Sequence, residues 1–492
     1  MSERYPKPIV DFLKGEPTPE QWTAISWPLE PSVVVAGAGS GKTSVMAARV
    51  IYLAMVATGA WPAEHEGVMP GNVFCLTFTN KATENLILKM RRALRTLDLD
   101  EGEEPEISNF HAVAAQVLER HGMLIGLESG QRVLSQAQRA QIAARVLDRM
   151  TFETLHTRWQ PAIVGYILGL DEQLQNHLVE PETVVEHVEG KLDALRKARS
   201  AEPLLAAEER VEIARAVRVF RDIKAELGVI DFGDQIAHAV RIASEFPDVG
   251  RGYRDRFGAV LLDEYQDTNH AQAVLMRAVF GAGHPVTAVG DPDQNIYAWR
   301  GASLWNLLHF RKEFPLSDGS ESAQLPLYTN FRSGARILQA ADKVIDALPA
   351  NQRPDPDKLL RPWERNGDGR VEVARYEHEV AEAEGVAERA HALHANGVAW
   401  RDMAVLCRTH RLFEALQLAF GAMEVPAEFV NLAGLIHLPE IVEVLAYARA
   451  TEDPKDGVAL ARRLTRATYL ERLRALGAVE GWLTRSEDRR GG

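Results

Sequence analysis

The chain has 492 residues, of which 46% are hydrophobic and 25% charged, and its formal net charge is −13. This length and composition exclude a disordered or low-complexity chain and predict two to four globular domains. No apolar run approaches the ~18 residues of a membrane span, and the polar start MSERYPKP is unlike a signal peptide, so we expect a cytoplasmic protein with no membrane partner. The negative charge repels polyanions at long range, so any nucleic-acid site has to be local.

Strand-like and helix-like stretches alternate at the start of the chain. From Val33 to about Val117, apolar runs such as SVVVAG and NVFCLTF alternate with helical runs, which is typical of a parallel sheet. From about Leu118 to Gly228 amphipathic helices replace the strands, which indicates a helical insertion. Strand patterns return at GAVLLDEYQD and HPVTAVGD, and then at GRVEVARY and DMAVLCRT, which predicts a second α/β unit. Beyond about Asn431 the pattern is helical again.

The stretch VVVAGAGSGKT ends a predicted strand with small residues and closes with lysine and threonine. Its last eight residues fit a phosphate-binding loop, with alanine where the first glycine is usual. Bare backbone lets successive N–H groups surround phosphate oxygens, the lysine adds charge, and the threonine can hold Mg²⁺ at a helix start. A dinucleotide-binding fingerprint is excluded because it needs a third glycine at the lysine position. The predicted nucleotide-binding residues are Ala36, Gly37, Ala38, Gly39, Ser40, Gly41, Lys42 and Thr43.

The stretch AVLLDEYQDTN places two adjacent carboxylates after an apolar strand. Asp263 is predicted to hold Mg²⁺, and Glu264 is predicted to orient or deprotonate a water molecule. The alternative interpretation is an acidic turn that caps a helix. The position directly after a buried-type strand favours the metal and catalytic roles.

The stretch VTAVGDPDQNIYAWRGA is again a strand followed by a polar turn. Its acidic positions mimic the start of a calcium loop, but isoleucine and alanine replace the required glycine and glutamate, so calcium is excluded. Gln294 is instead predicted to sense a γ-phosphate, and Tyr297 and Trp299 can offer flat faces to bases. Taken singly, such aromatic residues more often pack in a core.

Eight motifs follow one another along the chain. They are TPEQ at 18–21, AGAGSGKT, LTFTNKA at 76–82, ISNFH at 107–111, IDFGDQI at 230–236, LLDEYQDTN, AVGDPDQNIYAWRGA and LYTNFRS at 327–333. In this order they resemble the motifs of the superfamily-1A DNA helicases of the UvrD/Rep/PcrA type, over roughly residues 15–450. The resemblance implies two RecA-like domains with ATP and Mg²⁺ in the cleft between them, single-stranded and duplex DNA as partners, and 3′-to-5′ helicase activity in repair or recombination.

The resemblance also implies roles for matching positions. Gln21 would read the adenine edge and Arg332 would act as an arginine finger. Phe331, which stands where tyrosine is usual, would stack on adenine. Asp263, Glu264 and Gln294 match the family's magnesium carboxylate, catalytic base and γ-phosphate contact. The DNA-binding residues implied are Phe78, His111, Tyr297 and Trp299.

By the family's plan, residues 1–117 and 229–313 form the first RecA-like domain, with the helical insertion at 118–228. Residues 314–430 form the first part of the second RecA-like domain, and 431–492 start a second helical insertion. The strings VVVAGAGSGKTSVMAARV, DEYQDTNHAQAVLMRAVFG and GHPVTAVGDP are most similar to a motor subunit of the actinobacterial AdnAB helicase-nuclease type. That similarity implies a second helicase-nuclease subunit as partner.

Two late helicase motifs, of the forms T-x-H-x-x-K-G-L-E and V-x-x-T-R-A, do not occur after Asn431. We therefore expect an incomplete second RecA-like domain. Since one arginine finger contributes on the order of 10³ to 10⁵ in rate, we expect this chain alone to bind ATP and DNA but to hydrolyse slowly. The alternative function is a non-motor, nucleotide-gated DNA-binding scaffold or partner subunit. A small-molecule kinase is disfavoured because it explains neither DEYQDTN nor NIYAWRGA.

Overall fold

A computed structural model of the protein describes residues 4–97, 103–128, 130–155, 157, 159–197, 201–281, 283–349, 355, 358–430 and 444. The chain divides into two compact units after Val371. The first unit carries the large sheet, and the second carries a pair of packed helices. In the described residues, no helix is long and apolar enough to span a bilayer.

A parallel sheet lies at the centre of the first unit. The strands of this unit are β1 (Ser32–Ala36), β2 (Val73–Thr77), β3 (Glu106–Asn109), β4 (Arg132–Val133), β5 (Val229–Ile230), β6 (Ala259–Leu262), β7 (Val286–Gly290), β8 (Ala323–Leu327), β9 (Thr329–Asn330) and β10 (Arg361–Pro362). Six of them form one sheet in the order β3-β2-β6-β7-β1-β8, and every neighbouring pair is parallel. Two small parallel pairs, β4 with β5 and β9 with β10, lie outside it. The predicted α/β class with a central parallel sheet is confirmed.

Helices connect these strands. In chain order they are α1 (Lys7–Leu13), α2 (Pro19–Ile25), α3 (Lys42–Ala57), α4 (Asn80–Leu94), α5 (Phe110–His121), α6 (Gln136–Arg149), α7 (Gln160–His177), α8 (Pro181–Lys197), α9 (Ala201–Glu226), α10 (Phe232–Glu245), α11 (Pro247–Arg256), α12 (His270–Phe280), α13 (Leu304–Leu308), α14 (Phe310–Glu313) and α15 (Ala335–Asp346). Helices α6 to α9 follow one another between β4 and β5, so this stretch is helical as the sequence pattern predicts.

Both faces of the four central strands, β2, β6, β7 and β1, are buried, which explains why these strands are almost wholly apolar. Side chains alternate along β1: Val33 and Val35 pack on one side with residues of α5, α10 and α12, while Val34 and Ala36 pack on the other with residues of α3. Full burial of one such valine contributes roughly 1.5–3 kcal/mol. Since the strands are parallel, their polar carboxyl-terminal turns meet at one edge of the sheet, where such folds bind ligands.

The inserted helices α6, α7 and α9 have their own apolar core, and they are joined to α10 by buried charges. Lys224 of α9 lies at the centre, with Nζ 2.8 Å from Asp231 Oδ2 and 2.7 Å from Asp234 Oδ2. Arg139 Nε lies 3.0 Å from Asp231, and Gln175 Nε2 donates to Asp231 and Asp234 at 3.0 and 2.8 Å. The IDFGDQI motif therefore anchors the insertion to the sheet domain.

The end of the sheet differs from the sequence-based domain plan. Strand β8 lies within residues 314–430, which the plan assigns to a second domain. In the structure it pairs with β1 along its length, from Ser32 opposite Ala323 to Ala36 opposite Leu327. It therefore belongs to the same sheet as the phosphate loop, and residues up to Val371 remain in the first compact unit.

In its described part the second unit has two long α-helices, α16 (Glu379–Ala395) and α17 (Phe413–Ala422), which pack through Ala387 and Phe420. The strands predicted at GRVEVARY and DMAVLCRT do not form. Val373 and Leu406 are each 95% exposed, and within the described residues neither run has a strand partner. A strand needs a neighbour to satisfy its backbone groups, so apolar patterning alone does not produce one. The predicted second insertion, 431–492, lies outside the described residues except for residue 444.

Candidate functional site

The phosphate loop runs from the end of β1 to the start of α3. Gly39 and Gly41 have φ angles of 71° and 85°, in the left-handed region that favours glycine. A Cβ added at Gly39 would lie 2.7 Å from Arg332 Cβ, so this turn also has no room for a larger residue. Helix α3 begins at Lys42, and the free N–H groups of its first turn adjoin the loop. The result is a backbone site suited to an anion.

Lys42 lies between two carboxylates from neighbouring strands. Its Nζ is 3.6 Å from Glu264 Oε2 and 4.0 Å from Asp291 Oδ2, and its side chain is only 10% exposed. Glu264 follows β6 and Asp291 follows β7, which lie beside each other in the sheet. The fold thus brings three separate sequence motifs to one cation. Asp291, which the sequence analysis considered only for calcium, is a member of this group.

Asp263 precedes Glu264 and is buried. Burial, and then the neighbouring Glu264 charge, raise the pKa of Asp263 to about 7, although the Lys42 charge opposes this. Its Oδ1 accepts a hydrogen bond from the Glu264 N–H at 3.1 Å. The side chain forms no ion pair with a described residue. A buried carboxylate of this kind gains from a bound cation.

The donor set suits Mg²⁺. Thr43, in the first turn of α3, offers a hydroxyl oxygen and Asp263 offers a carboxylate, and hard oxygen ligands are those that Mg²⁺ prefers. The described residues contain no cluster of three or more His, Cys, Asp or Glu side chains that could enclose a metal by themselves. Phosphate oxygens and water would therefore complete the coordination, as is usual for Mg²⁺ with a nucleotide.

Gln266 links the two acidic turns. Its Nε2 donates to Glu264 Oε2 at 2.8 Å, and its Oε1 accepts from the Asp291 N–H at 3.0 Å. Asp291 in turn accepts a hydrogen bond from Gln294 Nε2 through Oδ2. The amide of Gln294 is thereby held next to the carboxylate that adjoins Lys42.

The LYTNFRS segment contacts the phosphate loop from the β8 side. Asn330 Nδ2 donates to the Ala38 carbonyl at 2.5 Å, and the Phe331 N–H donates to the Gly39 carbonyl at 2.9 Å. The Phe331 ring lies 5.1 Å from the ring of Trp363. Arg332 is exposed beside the loop. These contacts place the predicted adenine-stacking residue and the predicted arginine finger at the same loop as Lys42.

Gln21 approaches the loop from the start of α2. Its Oε1 accepts the Thr18 N–H at 3.1 Å in a capping box, and its Nε2 lies 3.4 Å from the Ser40 carbonyl. The neighbouring Glu20 carboxylate accepts the backbone N–H groups of Tyr328 and Thr329, at 3.0 and 3.2 Å. Helix α2 is thus connected both to the phosphate loop and to the segment after β8.

Three aromatic rings from two motifs lie together. The Phe78 and Tyr297 centroids are 5.2 Å apart, and the Tyr297 and Trp299 centroids are 6.4 Å apart. The Arg300 guanidinium lies over Trp299, 4.6 Å from its centroid. Trp299 is 74% exposed, so a core role is wrong for this residue. The group, Phe78, Tyr297, Trp299 and Arg300, is called the aromatic surface below.

His111 has no ring contact with the aromatic surface in the part of the chain that the structure describes. Within the described residues its ring partner is Phe232, at a centroid distance of 5.4 Å. The preceding motif position, Asn109, caps α5 by accepting the Ala112 N–H at 2.9 Å, and it donates to Asn80 Oδ1 at 2.7 Å. In the ISNFH motif, therefore, Asn109 has a local structural role.

Sequence reasoning missed several residues that shape the site, namely Glu20, Gln266, Asn330, Lys358 and Trp363. The first three lie inside the quoted motifs, next to residues with predicted roles, and this position could have indicated that they belong to the site. The last two lie between LYTNFRS and GRVEVARY, in a polar stretch to which the sequence analysis assigns no site residue, because its pattern does not indicate which distant residues its side chains contact.

Two family models match the chain: the UvrD/REP helicase N-terminal domain over residues 17–315 and the UvrD-like helicase C-terminal domain over residues 325–472. The chain is 32% identical over 471 residues to the ATP-dependent DNA helicase UvrD1 of Mycobacterium tuberculosis (strain ATCC 25618 / H37Rv), covering 93% of this chain and 55% of that protein. It is 28% identical over 474 residues to the ATP-dependent DNA helicase PcrA of Bacillus subtilis (strain 168), covering 94% and 58%.

The chain thus spans little more than half the length of these relatives. The N-terminal family model alone covers more than half of this chain, including the phosphate loop, both acidic turns and the aromatic surface. With both domain models matched in order, the chain belongs to the UvrD/REP helicase family.

Proposed function

We propose that the chain binds ATP with Mg²⁺ at the phosphate loop and uses ATP hydrolysis to move along DNA, as an ATP-dependent DNA helicase or translocase. The observation that supports this most strongly is the position of Lys42 between Glu264 and Asp291, at the mouth of a glycine-bearing loop. Catalysis of phosphoryl transfer consists mainly of positioning and charge stabilisation, and this site brings the necessary charges together.

Lys42 changes partners in this proposal. Without nucleotide, its ammonium is balanced by Glu264 and Asp291. Triphosphate oxygens carry more negative charge, so Lys42 turns toward them and releases Glu264. Glu264 stays oriented by Gln266 and can accept a proton from the water that attacks the γ-phosphorus, while the bridging oxygen leaves with ADP. Its φ of 48°, uncommon for a residue other than glycine, indicates that the surrounding contacts hold it in an unfavourable backbone conformation.

Asp263 and Thr43 would hold the metal ion. A bound Mg²⁺ supplies positive charge to the phosphate oxygens. Asp263 is suited to this role because it is buried and its carboxylate forms no ion pair with any residue that the structure describes. Gln294 would contact the γ-phosphate, Phe331 and Gln21 the adenine, and Arg332 the γ-phosphate from the opposite side, as the family resemblance implies.

The aromatic surface would bind single-stranded DNA. Stacking contributes roughly 1–3 kcal/mol per base, and an arginine over the same rings adds a cation for the phosphates. Tyr297 and Trp299 follow Gln294 within a few residues, so nucleotide and DNA contacts share one turn. The 3′-to-5′ direction, a role in repair or recombination, duplex DNA as substrate and a second helicase-nuclease subunit all remain predictions from the resemblance.

ATP hydrolysis, measured with and without single-stranded DNA, tests this function. We expect DNA-stimulated turnover that Lys42→Ala and Glu264→Gln abolish, with Lys343→Ala on the exposed side of α15 as a matched control. Nucleotide-dependent DNA binding without turnover would favour the non-motor scaffold. Wild-type protein that binds no nucleotide would contradict both functions.

A further inference from the structure

Lys358 reaches the acidic turn after β7 from a distant part of the chain. Its Nζ contacts Asp291 Oδ1 and lies 2.6 Å from Asp293 Oδ2. The lysine side chain is 3% exposed, and those of Asp291 and Asp293 are 1% and 23% exposed. A buried ammonium with two carboxylate partners is a strong interaction, and removal of one partner leaves an uncompensated charge.

Asp291 is shared by several groups. Its Oδ1 contacts Lys358 and accepts the Asp293 N–H at 3.1 Å, while its Oδ2 accepts from Gln294 Nε2 and lies 4.0 Å from Lys42 Nζ. Lys358 therefore neutralises one side of the carboxylate whose other side holds Gln294. Without Lys358, Asp291 would have Lys42 as its nearest cation, and Lys42 is the cation needed for phosphate.

The segment that carries Lys358 is itself attached to the nucleotide site. Two residues on, the Leu360 side chain covers the phosphate loop so closely that a side chain at Gly37 would overlap it. The next residue, Arg361, forms an ion pair with Glu20, which adjoins Gln21, and its N–H donates to the Tyr328 carbonyl at 2.8 Å. Residues 358–361 thus contact four of the motifs that make the site.

We propose that Lys358 is a positioning residue for Gln294. It holds Asp291 and Asp293 so that the turn presents the Gln294 amide toward the terminal phosphate, and it leaves Lys42 free for the nucleotide. This inference rests on the proposed ATP site. Its specific consequence is that loss of Lys358 weakens discrimination between nucleotides with and without a γ-phosphate, more than it weakens nucleotide binding in general.

The test compares Lys358→Met, Lys358→Arg and Lys343→Met in the full chain. For each variant, the affinities for a non-hydrolysable ATP analogue and for ADP are measured with Mg²⁺. The quantity compared is the affinity for the analogue divided by the affinity for ADP. We expect Lys358→Met to lower the ratio about tenfold, as expected for a lost charge-assisted contact. Lys358→Arg keeps the cation and should restore most of the ratio, while Lys343→Met should leave it unchanged.

A second comparison separates positioning from general structural damage. Gln294→Ala should lower the same ratio, and Lys358→Met should lower it no further when Gln294 is already absent. A further tenfold loss in that background, an unchanged ratio in Lys358→Met alone, or equal weakening of analogue and ADP would overturn the proposal.

Hydrogen exchange gives a readout that does not depend on nucleotide. Amides of residues 291–295 should exchange faster in Lys358→Met than in Lys343→Met, and unchanged exchange would also overturn the proposal. If the wild type binds neither nucleotide, the proposed function fails, while the exchange result still decides whether Lys358 holds this turn.

Discussion

The Lys42 ammonium lies 3.6 Å from the Glu264 carboxylate, so the cation for phosphate and the proposed catalytic base neutralise each other in the ligand-free protein. In the proposed function, nucleotide binding separates this pair. Glu264 would then act as a base only after phosphate oxygens have replaced it as the partner of Lys42. Substitution of Lys42 and substitution of Glu264 should therefore have opposite effects on nucleotide affinity.

Glu264→Gln should lower the rate of ATP hydrolysis by a factor on the order of 100 or more, which is what a positioned general base contributes. Nucleotide affinity should be unchanged or rise a few-fold. The rise is expected because Lys42 no longer has to leave a charged partner. Lys42→Ala should instead weaken nucleotide binding itself, by roughly tenfold or more. Titration with a fluorescent ATP analogue measures both, and parallel losses of affinity in the two variants would contradict the pairing.

Asp263 should make metal-dependent nucleotide binding sensitive to pH. Because burial and Glu264 raise its pKa to about 7, a proton must leave before the carboxylate can hold Mg²⁺. We expect Mg²⁺-dependent nucleotide affinity to fall by up to about tenfold per pH unit below 7 and to level off above it. Calorimetry in buffers of different ionisation enthalpy should detect proton release on binding at pH 6 and little at pH 8.

The same carboxylate should destabilise the ligand-free fold. An acid whose pKa is higher in the folded state binds more protons when folded, so stability falls as pH rises from about 4 to about 7. Asp263→Asn removes this charge and should raise the melting temperature at pH 8 but not at pH 4. Asp267 also has a pKa raised to about 7, mainly by burial, so Asp267→Asn is the comparison that separates the two carboxylates.

Trp299 should contribute to DNA binding and not to nucleotide binding. Trp299→Ala removes an exposed stacking face and should weaken binding of a thymidine oligonucleotide by roughly 5- to 100-fold, as expected for one stacked base. Trp159→Ala is a matched control, because this tryptophan is 69% exposed at the start of α7. Fluorescence anisotropy at fixed salt measures both, and equal effects of the two substitutions would argue against the aromatic surface.

Asp231 should stabilise the joint between the inserted helices and α10. Burial raises its pKa, but the Lys224 and Arg139 charges outweigh this and lower the pKa to about 2. Asp231→Asn removes the carboxylate that Lys224 and Arg139 share, although both keep the buried Asp171 and Lys224 also keeps Asp234. Since breaking a buried ion pair costs about 3–5 kcal/mol, we expect a loss near the lower end, about 3 kcal/mol at pH 7. Since a lowered acid pKa stabilises above the unfolded value, the cost should shrink as pH falls from about 4 toward 2.

Urea unfolding at pH 7 and at pH 3 measures this cost. Asp222→Asn is the control, since Asp222 is half-exposed and its ion pair with Arg218 lies at the surface, where solvent screening leaves such pairs little effect on stability. If Asp231→Asn and Asp222→Asn lowered the free energy of unfolding by similar amounts, the buried cluster would contribute no more stability than a surface ion pair.

The sequence alone determined the fold class, the phosphate loop and the two acidic turns. Strands buried on both faces have to be apolar, a phosphate loop needs residues such as Gly39 and Gly41 that tolerate positive φ, and both requirements are readable over a few neighbouring residues. The parallel sheet then brings Lys42, Glu264 and Asp291 together, because strand ends share one edge.

Only the tertiary structure decided which strands pair and which distant side chains meet. Strand β8 joins the sheet of the phosphate loop, whereas GRVEVARY and DMAVLCRT form no strand in the described residues, although all three stretches carry similar apolar patterns. Lys358 looks like one more charge in a polar stretch, yet it is buried against Asp291. Pairing and burial depend on partners far away in the chain, and local residue patterns do not specify those partners.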